Sequence, residues 1–296
     1  MSRVNFEGTY TALVTPFKDD QSIDWDAFDR LVEGQIAGGV QGIVPCGTTG
    51  ESPALDYEEQ IELFKRCVKL AKGKCTILAG TGTNSTKSTI SMSQAAERAG
   101  VDAVMIVTPY YNKPTQDGLV EHFSAAAAAV SVPVVVYNIP GRSVIDLSAD
   151  SLARICEKSA NVVATKEATG NVLRAQEIAR TLGSRCTILS GDDALTLPMM
   201  SIGGKGVISV TSNLYPAEVS KVTRLALEGK WEDARKAHLA LCRVHETMFV
   251  EANPSPVKAA LAHKGRMKDV VRGPLARITE AGRSKVVAAV EAYERG

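Results

Sequence analysis

The sequence has no long apolar run and almost no net charge. A membrane-spanning helix needs about 18 consecutive apolar residues, and no such window occurs in the 296 residues. The first ten residues, MSRVNFEGTY, lack the apolar segment of a secretory signal. With 34 Lys and Arg against 33 Asp and Glu, the charge balance does not point to nucleic acid or an acidic membrane surface. We therefore expect a cytoplasmic protein that acts on small molecules.

Cysteine and histidine are sparse and scattered. The six cysteines form no CxxC pair and no Cys/His metal spacing, so we expect reduced thiols that pack as small apolar side chains. The four histidines all fall on helical or C-terminal segments. No strand end therefore carries a ligand set typical of a transition metal, and we predict no metal cofactor.

Short β-branched runs alternate with amphipathic stretches along most of the chain. The runs are nearly continuous in apolar residues, as in parallel strands that are buried on both faces. Between them, apolar residues recur at i, i+3 and i+4 in segments such as 25–39, 57–73 and 148–159. Eight strand–helix units in this length predict an α/β fold, a closed (β/α)8 TIM barrel. The predicted strands cover residues 11–17, 42–47, 75–80, 103–109, 133–140, 161–167, 186–193 and 206–213.

The pattern changes after the eighth run. No further strand pattern follows, and two long helical stretches are separated by NPSPVK, residues 253–258, which reads as a break. We predict a catalytic barrel over residues 1–227 and a small helical C-terminal domain over residues 228–296.

The ends of the predicted strands are the places to look for chemistry, because active sites of such barrels lie at the C-terminal ends of the strands. The second run leads into GTTGES, residues 47–52. Its glycines allow close backbone approach, and Thr48 and Thr49 add hydroxyl donors, which suits a carboxylate. The Lys-Ser/Thr pair of a phosphate-binding loop does not follow. The alternative is an ordinary turn whose Thr or Ser caps the next helix.

Tyrosines and an arginine follow the fourth and fifth runs. TPYYNKP and YNIPGRS place Tyr110, Tyr111, Tyr137 and Arg142 near one rim, in a chain with seven tyrosines. A phenol can relay a proton, and a guanidinium suits a carboxylate. Alternatively, the rings only pack and the arginine is a loop charge.

Two aspartates follow the seventh run in SGDD. Asp192 and Asp193, together with Glu167, could hold a divalent ion. The simpler interpretation is that the aspartates cap or support loops.

A lysine closes the sixth run, NVVATKE. Burial disfavours an ammonium and frees the lone pair for attack on a carbonyl, as in Schiff-base lysines. The alternative is a surface ion pair between Lys166 and Glu167. The GTTGES loop, with its suitability for a carboxylate, and the tyrosines at the same rim favour an imine between Lys166 and a small 2-oxo acid. This imine would become an enamine and attack an aldehyde.

Six motifs in one order resemble the dihydrodipicolinate synthase family, of the class I aldolase group that also contains N-acetylneuraminate lyase. The resemblance spans residues 8–258 and implies condensation of pyruvate with (S)-aspartate 4-semialdehyde to 4-hydroxy-tetrahydrodipicolinate, for diaminopimelate and lysine biosynthesis. The alternatives are another pyruvate-dependent lyase, acting on N-acetylneuraminate or a 2-oxo-3-deoxy sugar acid, a metal-dependent enzyme using Asp192 and Asp193, or a non-catalytic barrel that binds a 2-oxo acid. The motifs are GTTGES, TPYYN, YNIPGR, KEATGN, SGDD and GVISVTSN.

The resemblance also implies roles for single residues. No cofactor is expected, because pyruvate itself forms the imine. Tyr111 is expected to come from the neighbouring subunit of a homotetramer, a dimer of dimers. The implied roles are imine formation for Lys166, proton relay for Tyr137, Thr48 and Tyr111, pyruvate carboxylate binding for Thr49 and the Gly47 loop, semialdehyde binding for Arg142, and pocket lining for Gly191 and the Ile208 carbonyl.

Many family members are inhibited by lysine at a dimer interface. Ser52, Asn84 and Tyr110 match that site. Other positions depart from strongly inhibited members and lack an acidic group for the ligand's ammonium, which predicts weaker lysine binding. Tyr57 and Gln60 stand where those members often carry His, and Ser88 stands where they often carry the acidic residue.

Overall fold

The computed structural model describes residues 4–296 and confirms the predicted barrel. Eight parallel strands are hydrogen-bonded in chain order, and the last pairs with the first, so the sheet has no edge. The strands are β1 (Gly8–Ala12), β2 (Gly42–Val44), β3 (Thr76–Gly80), β4 (Ala103–Val107), β5 (Val134–Asn138), β6 (Val162–Glu167), β7 (Thr187–Ser190) and β8 (Gly206–Ser209).

The first strand lies earlier in the chain than predicted. It ends at Ala12, whereas the prediction covered residues 11–17. Beyond Ala12, the Leu13 amide still donates to the Val44 carbonyl of β2 at 3.1 Å, but the apolar residues that follow are buried without pairing in the sheet. Phe17 forms only an isolated bridge with Ile23, and the Val14 amide donates to the side chain of Asn213. Apolar content signalled burial there, and burial does not require a strand.

The predicted helices at 25–39, 57–73 and 148–159 are confirmed as α1, α2 and α6. None of the helices within residues 4–296 has the length and apolar character needed to cross a bilayer. The helices are α1 (Trp25–Ala37), α2 (Tyr57–Ala71), α3 (Thr86–Arg98), α4 (Gln116–Ala128), α5 (Pro140–Ser143), α6 (Ala149–Lys158), α7 (Val172–Leu182), α8 (Thr196–Ser201), α9 (Pro216–Leu227), α10 (Trp231–Thr247), α11 (Ser255–His263) and α12 (Glu280–Arg295).

The core has two layers, one inside the barrel and one between the strands and the helices. Successive side chains of a strand point to opposite faces. On β5, Val135 and Tyr137 therefore point into the barrel, while Val134 and Val136 face the helices. The interior layer is formed mainly by Tyr10, Val44, Leu78, Met105, Val135, Tyr137, Ala164, Leu189 and Ile208.

The C-terminal helices are present, but the predicted break at 253–258 is only partly right. Helix α11 begins at Ser255 inside that stretch, with Pro256 in its first turn. Proline is compatible with a first helical turn because the amide there has no partner within the helix. The predicted division at 227/228 falls in the turn between α9 and α10 and stays a prediction.

Candidate active site

Lys166 lies at the carboxyl end of β6 and points into the barrel. It is paired in register with Tyr137 of β5, and its Nζ lies 4.0 Å from the centre of the Tyr137 ring. The residue is 5 % exposed, and no acidic side chain of residues 4–296 forms an ion pair with it. A buried lysine amine with no ion-pair partner at the end of a barrel strand is a candidate nucleophile.

The alternative of a surface pair between Lys166 and Glu167 is wrong, because both residues are buried. Glu167 follows on the strand and its carboxylate turns to the loop, where Oε1 accepts from the Thr169 amide at 2.7 Å. Burial raises the pKa of the Glu167 carboxyl. Glu167 therefore supports the turn after β6 and leaves the lysine amine unpaired.

The GTTGES loop is a constrained turn beside Lys166. Cys46, just before the loop, and Glu51, within it, both adopt left-handed backbone conformations, with φ of 55° and 57°. Gly80 of β3 allows the loop to approach, since a Cβ there would lie 2.3 Å from the Cys46 carbonyl oxygen. The alternative that this loop caps the next helix is wrong, because Asp56 supplies the capping box of α2.

Thr49 is buried in this loop and has a partner that the sequence did not reveal. Its Oγ1 accepts a hydrogen bond from Nδ2 of Asn253 at 3.0 Å. Asn253 precedes α11, far along the chain, and only its place in the NPSPVK motif could have signalled a role. The threonine is thus held by the C-terminal segment.

A cavity connects the loop to the rim. Its inner part is lined by Gly47, Thr48 and Tyr137, beside the Lys166 amine. Its outer part, of about 190 Å³, is lined by Tyr110 and Arg142. The two parts share lining residues and form one path from solvent to the barrel interior. The shared residues are Thr48, Ser52, Gly82 and Val107.

Arg142 lies on the short helix α5 at the mouth of this cavity. Its Nη2 donates to the backbone carbonyl of Asn253 at 3.3 Å. Asp146 holds the segment after α5 in place. Its carboxylate accepts from the Asn138 side-chain amide at 2.9 Å and from both terminal nitrogens of Arg174 at 2.9 Å. A fixed guanidinium at the entrance is suited to bind a carboxylate.

The seventh and eighth strands contribute little polar chemistry to the interior. The Gly191 amide donates to the Glu167 carbonyl at 2.7 Å, and a Cβ at this glycine would lie 2.5 Å from the Cβ of Ala168. Ile208 is buried in the barrel, opposite Tyr10 of β1. Gly191 follows β7, which pairs with the strand that carries Lys166, and Ile208 lies on β8, which pairs with β1. The predicted contact of both residues with substrate stays a prediction.

The two aspartates of SGDD support loops. Asp192 accepts from the Ala194 amide at 2.9 Å. Asp193 is buried and accepts from the Ser209 hydroxyl at 2.5 Å and from the Val210 and Thr211 amides at 2.8 and 3.1 Å. Nowhere in residues 4–296 do three or more His, Cys, Asp or Glu side chains gather in a group that could hold a metal ion.

Tyr111 does not line the cavity of its own chain. It is 90 % exposed and adopts a φ of 74°, while the neighbouring Asn112 donates to the Asn84 carbonyl at 2.7 Å. Ser52 and Tyr110, predicted for a lysine site, line the outer cavity, and Tyr110 does so beside Arg142. The roles predicted for Tyr111 and for the lysine site stay predictions.

A buried ion pair underneath the GTTGES loop was not predicted. Lys258 of α11 pairs with Glu51, and both side chains are fully buried. The Lys258 amine also donates to the Val270 carbonyl at 2.8 Å, and the Glu51 carboxylate accepts from the Arg272 amide at 2.9 Å. Burial, opposed by the Glu51 charge, lowers the pKa of Lys258 to about 8.

Comparison with known proteins agrees with this fold. The chain is 57 % identical to the 4-hydroxy-tetrahydrodipicolinate synthase of Sorangium cellulosum, over 99 % of this chain and 98 % of that protein. The structure of 4-hydroxy-tetrahydrodipicolinate synthase from Methylacidiphilum fumariolicum superposes with a TM-score of 0.96 at 46 % identity, over 98 % of this chain and 97 % of the other.

A second solved structure carries a ligand. The chloride-inhibited dihydrodipicolinate synthase of Acinetobacter baumannii, complexed with pyruvate, matches with a TM-score of 0.96 at 38 % identity, over 98 % of this chain and 99 % of that chain. The model of the dihydrodipicolinate synthetase family matches residues 5–293. The chain therefore belongs to the dihydrodipicolinate synthetase family.

Proposed function

We propose that this chain catalyses the condensation of pyruvate with (S)-aspartate 4-semialdehyde to 4-hydroxy-tetrahydrodipicolinate, through an imine on Lys166. The observation that carries the proposal is the buried, unpaired Lys166 amine over the ring of Tyr137, whose side chain lines a cavity that passes Thr48 and opens at Arg142. The names of the similar proteins support the same reaction.

The reaction begins at the Lys166 amine. Nζ attacks the ketone carbon of pyruvate, and water leaves to form the imine. The protonated imine accepts electrons while C3 loses a proton, which gives an enamine. The enamine carbon attacks the semialdehyde carbonyl and forms the new carbon–carbon bond. The amino group of the semialdehyde then replaces Lys166 on the imine carbon, which closes the ring and frees the enzyme.

Three groups would bind the substrates or move protons in these steps. Thr49 and the backbone at Gly47 would hold the pyruvate carboxylate. Tyr137 and Thr48, which line the inner cavity together, would relay protons to and from the imine, and Tyr111 of a neighbouring subunit would connect them to solvent. Arg142 would bind the carboxylate of the semialdehyde at the mouth.

Assembly and regulation belong to the same proposal. A Tyr111 side chain that is 90 % exposed in one chain fits a role in a second subunit, and we propose a homotetramer in the cytoplasm. Weak lysine inhibition would involve Ser52, Asn84 and Tyr110. The second candidate, a lyase for N-acetylneuraminate or a 2-oxo-3-deoxy sugar acid, is less well supported, because Arg142 places a cation where the remainder of a polyhydroxy substrate would lie.

Borohydride trapping tests the imine directly. Pyruvate and borohydride should fix one adduct on Lys166, and Lys166→Ala should abolish both the adduct and turnover. Lys258 is an internal control, since it is also buried but is ion-paired with Glu51. A peptide map with the adduct on Lys258, or full turnover with no adduct on Lys166, would contradict the proposal. Turnover that persists after dialysis against a chelator would remove a metal-dependent mechanism through Asp192 and Asp193.

A further inference from the structure

We propose that Asn253 is a positioning residue that directs the Thr49 hydroxyl toward the pyruvate carboxylate. The inference rests on the proposed function, because it concerns how Thr49 binds pyruvate there. Asn253 takes no part in the reaction steps described above. Its effect would be exerted entirely through the threonine.

The amide of Asn253 is dedicated to Thr49. The side chain is 5 % exposed, and Nδ2 donates to Thr49 Oγ1 at 3.0 Å. This is its one side-chain hydrogen bond within residues 4–296, because the buried Oδ1 has no partner there. A buried amide group that is left half-satisfied is destabilising. The hydrogen bond to Thr49 therefore fixes how the two side chains face each other.

The chemistry of the two groups determines which way the hydroxyl points. A threonine hydroxyl has one hydrogen to donate and two lone pairs, whereas an amide nitrogen can only donate. With Nδ2 bound to Oγ1, the Thr49 hydrogen is free to point elsewhere. A carboxylate can only accept, so it needs that hydrogen. Asn253 thus keeps Thr49 in the orientation that a bound carboxylate requires.

Asn253 also contacts Arg142, the residue proposed to bind the semialdehyde. Its backbone carbonyl accepts from Arg142 Nη2 at 3.3 Å. The pyruvate loop and the rim arginine therefore meet at one residue of the C-terminal segment. Because the contact with Arg142 uses the backbone, side-chain substitutions at Asn253 should act first on pyruvate and much less on the semialdehyde.

A near-isosteric substitution reverses the polarity of this hydrogen bond. In Asn253→Asp, the carboxylate would accept the Thr49 hydrogen and turn a lone pair of Oγ1 toward pyruvate. We expect the pyruvate KM to rise by about tenfold or more, as for loss of a charge-assisted hydrogen bond. Asn253→Ala should raise it less, because the free hydroxyl can still rotate. The semialdehyde KM should change little in both variants.

The Thr49→Val background separates this effect from a structural one. If Asn253 acts through the hydroxyl, Asn253→Ala should not raise the pyruvate concentration for half-maximal borohydride trapping any further in that background. A thermal unfolding curve for each protein shows which variants fold. If Asn253→Asp fails to fold, Asn253→Ser replaces it in these measurements. An unchanged pyruvate KM in Asn253→Asp, or equal losses with and without the Thr49 hydroxyl, would overturn the inference. Failure of the wild-type protein to form any adduct would instead overturn the proposed function.

Discussion

The Nζ of Lys166 lies 4.0 Å from the centre of the Tyr137 ring, and the two residues are paired in register on β6 and β5. Both side chains point into the barrel, where solvent is largely excluded. This distance places the amine over the face of the ring, so the two side chains pack against each other in the barrel interior. This pair is the centre of the proposed chemistry.

Replacement of Tyr137 by Phe should slow catalysis without unfolding the barrel. The ring remains and only the hydroxyl is lost, so the packing around Met105 and Lys166 is preserved. General acid–base catalysis contributes about 10²–10⁴-fold, and we expect kcat to fall within that range while the Lys166 adduct can still be trapped. Steady-state kinetics and trapping on the same preparation test this. A kcat equal to that of the wild type would remove Tyr137 from the proton relay.

Arg142→Lys should impair use of the semialdehyde more than that of pyruvate. The variant keeps the positive charge but loses the two-pronged donor geometry. We expect the semialdehyde KM to rise by roughly tenfold to a hundredfold, which corresponds to about 1.5–3 kcal/mol. Arg154→Lys is the matched control, because Arg154 forms an exposed pair with Asp117 on the outer helices. An equal rise in both substrate KM values would mean that Arg142 is not specific for the semialdehyde.

Hybrid assemblies can test whether Tyr111 acts in a neighbouring subunit. Tyr111→Phe and Lys166→Ala should each be strongly impaired as pure proteins. In a mixed dimer, one site would combine the intact Lys166 of one chain with the intact Tyr111 of the other. Unfolding and refolding the two variants together should therefore restore activity above that of either alone. If Tyr111 served its own chain, the mixture would show no gain.

The Glu51–Lys258 pair should stabilise the fold only while both charges are present. Lys258→Met leaves the Glu51 carboxylate buried without its cation, which costs about 3–5 kcal/mol in comparable pairs. Glu51→Gln combined with Lys258→Met should recover part of that loss, because neither charge then remains. Urea unfolding of the two single variants and the double variant measures the coupling energy. Additive losses would show that the two residues act independently.

Acid should destabilise the protein partly through His122. This residue is buried on α4, its Nδ1 lies 2.9 Å from the Thr86 hydroxyl, and burial lowers its pKa from 6.5 to about 4. Between these values the unfolded chain binds a proton that the folded chain does not. The contribution of His122 is therefore complete above pH 6.5 and is lost as the pH falls toward 4, by roughly 3 kcal/mol.

His122→Asn provides the comparison for this effect. The amide oxygen can still face Thr86, but the side chain does not titrate. The variant should lose less unfolding free energy than the wild type as the pH falls. His238 and His245, whose pKa values burial also lowers, are present in both proteins and contribute equally. Identical pH slopes for the two proteins would contradict the assignment to His122.

The local sequence pattern of the chain was enough to predict its architecture. Alternating apolar runs and amphipathic stretches predict eight strand–helix units, and the closed barrel confirms them. The errors lie where burial and strand pairing differ, as at residues 13–17, and where a proline sequence starts a helix, as at Ser255. Both are cases in which composition reports burial or local stiffness and does not report which backbone partner a residue has.

The nature of the site was partly determined by sequence as well. Lys166, Thr48, Tyr137 and Arg142 were predicted from their places at strand ends. Thr48, Tyr137 and Arg142 line one cavity, and the Lys166 amine lies over the Tyr137 ring. Sequence alone left Lys166 open between nucleophile and surface pair, since the same residues fit both. Burial in the closed barrel excluded the pair.

The partners from the C-terminal segment were decided by tertiary structure alone. Asn253 reaches Thr49, and Lys258 reaches Glu51, from about two hundred positions along the chain. Local periodicity carries no information about such contacts, because they depend on where α11 packs against the barrel. The sequence by itself determined the barrel and the residues at its mouth. The packing of distant segments determined which of those residues are hydrogen-bonded, which are ion-paired and which have no such partner.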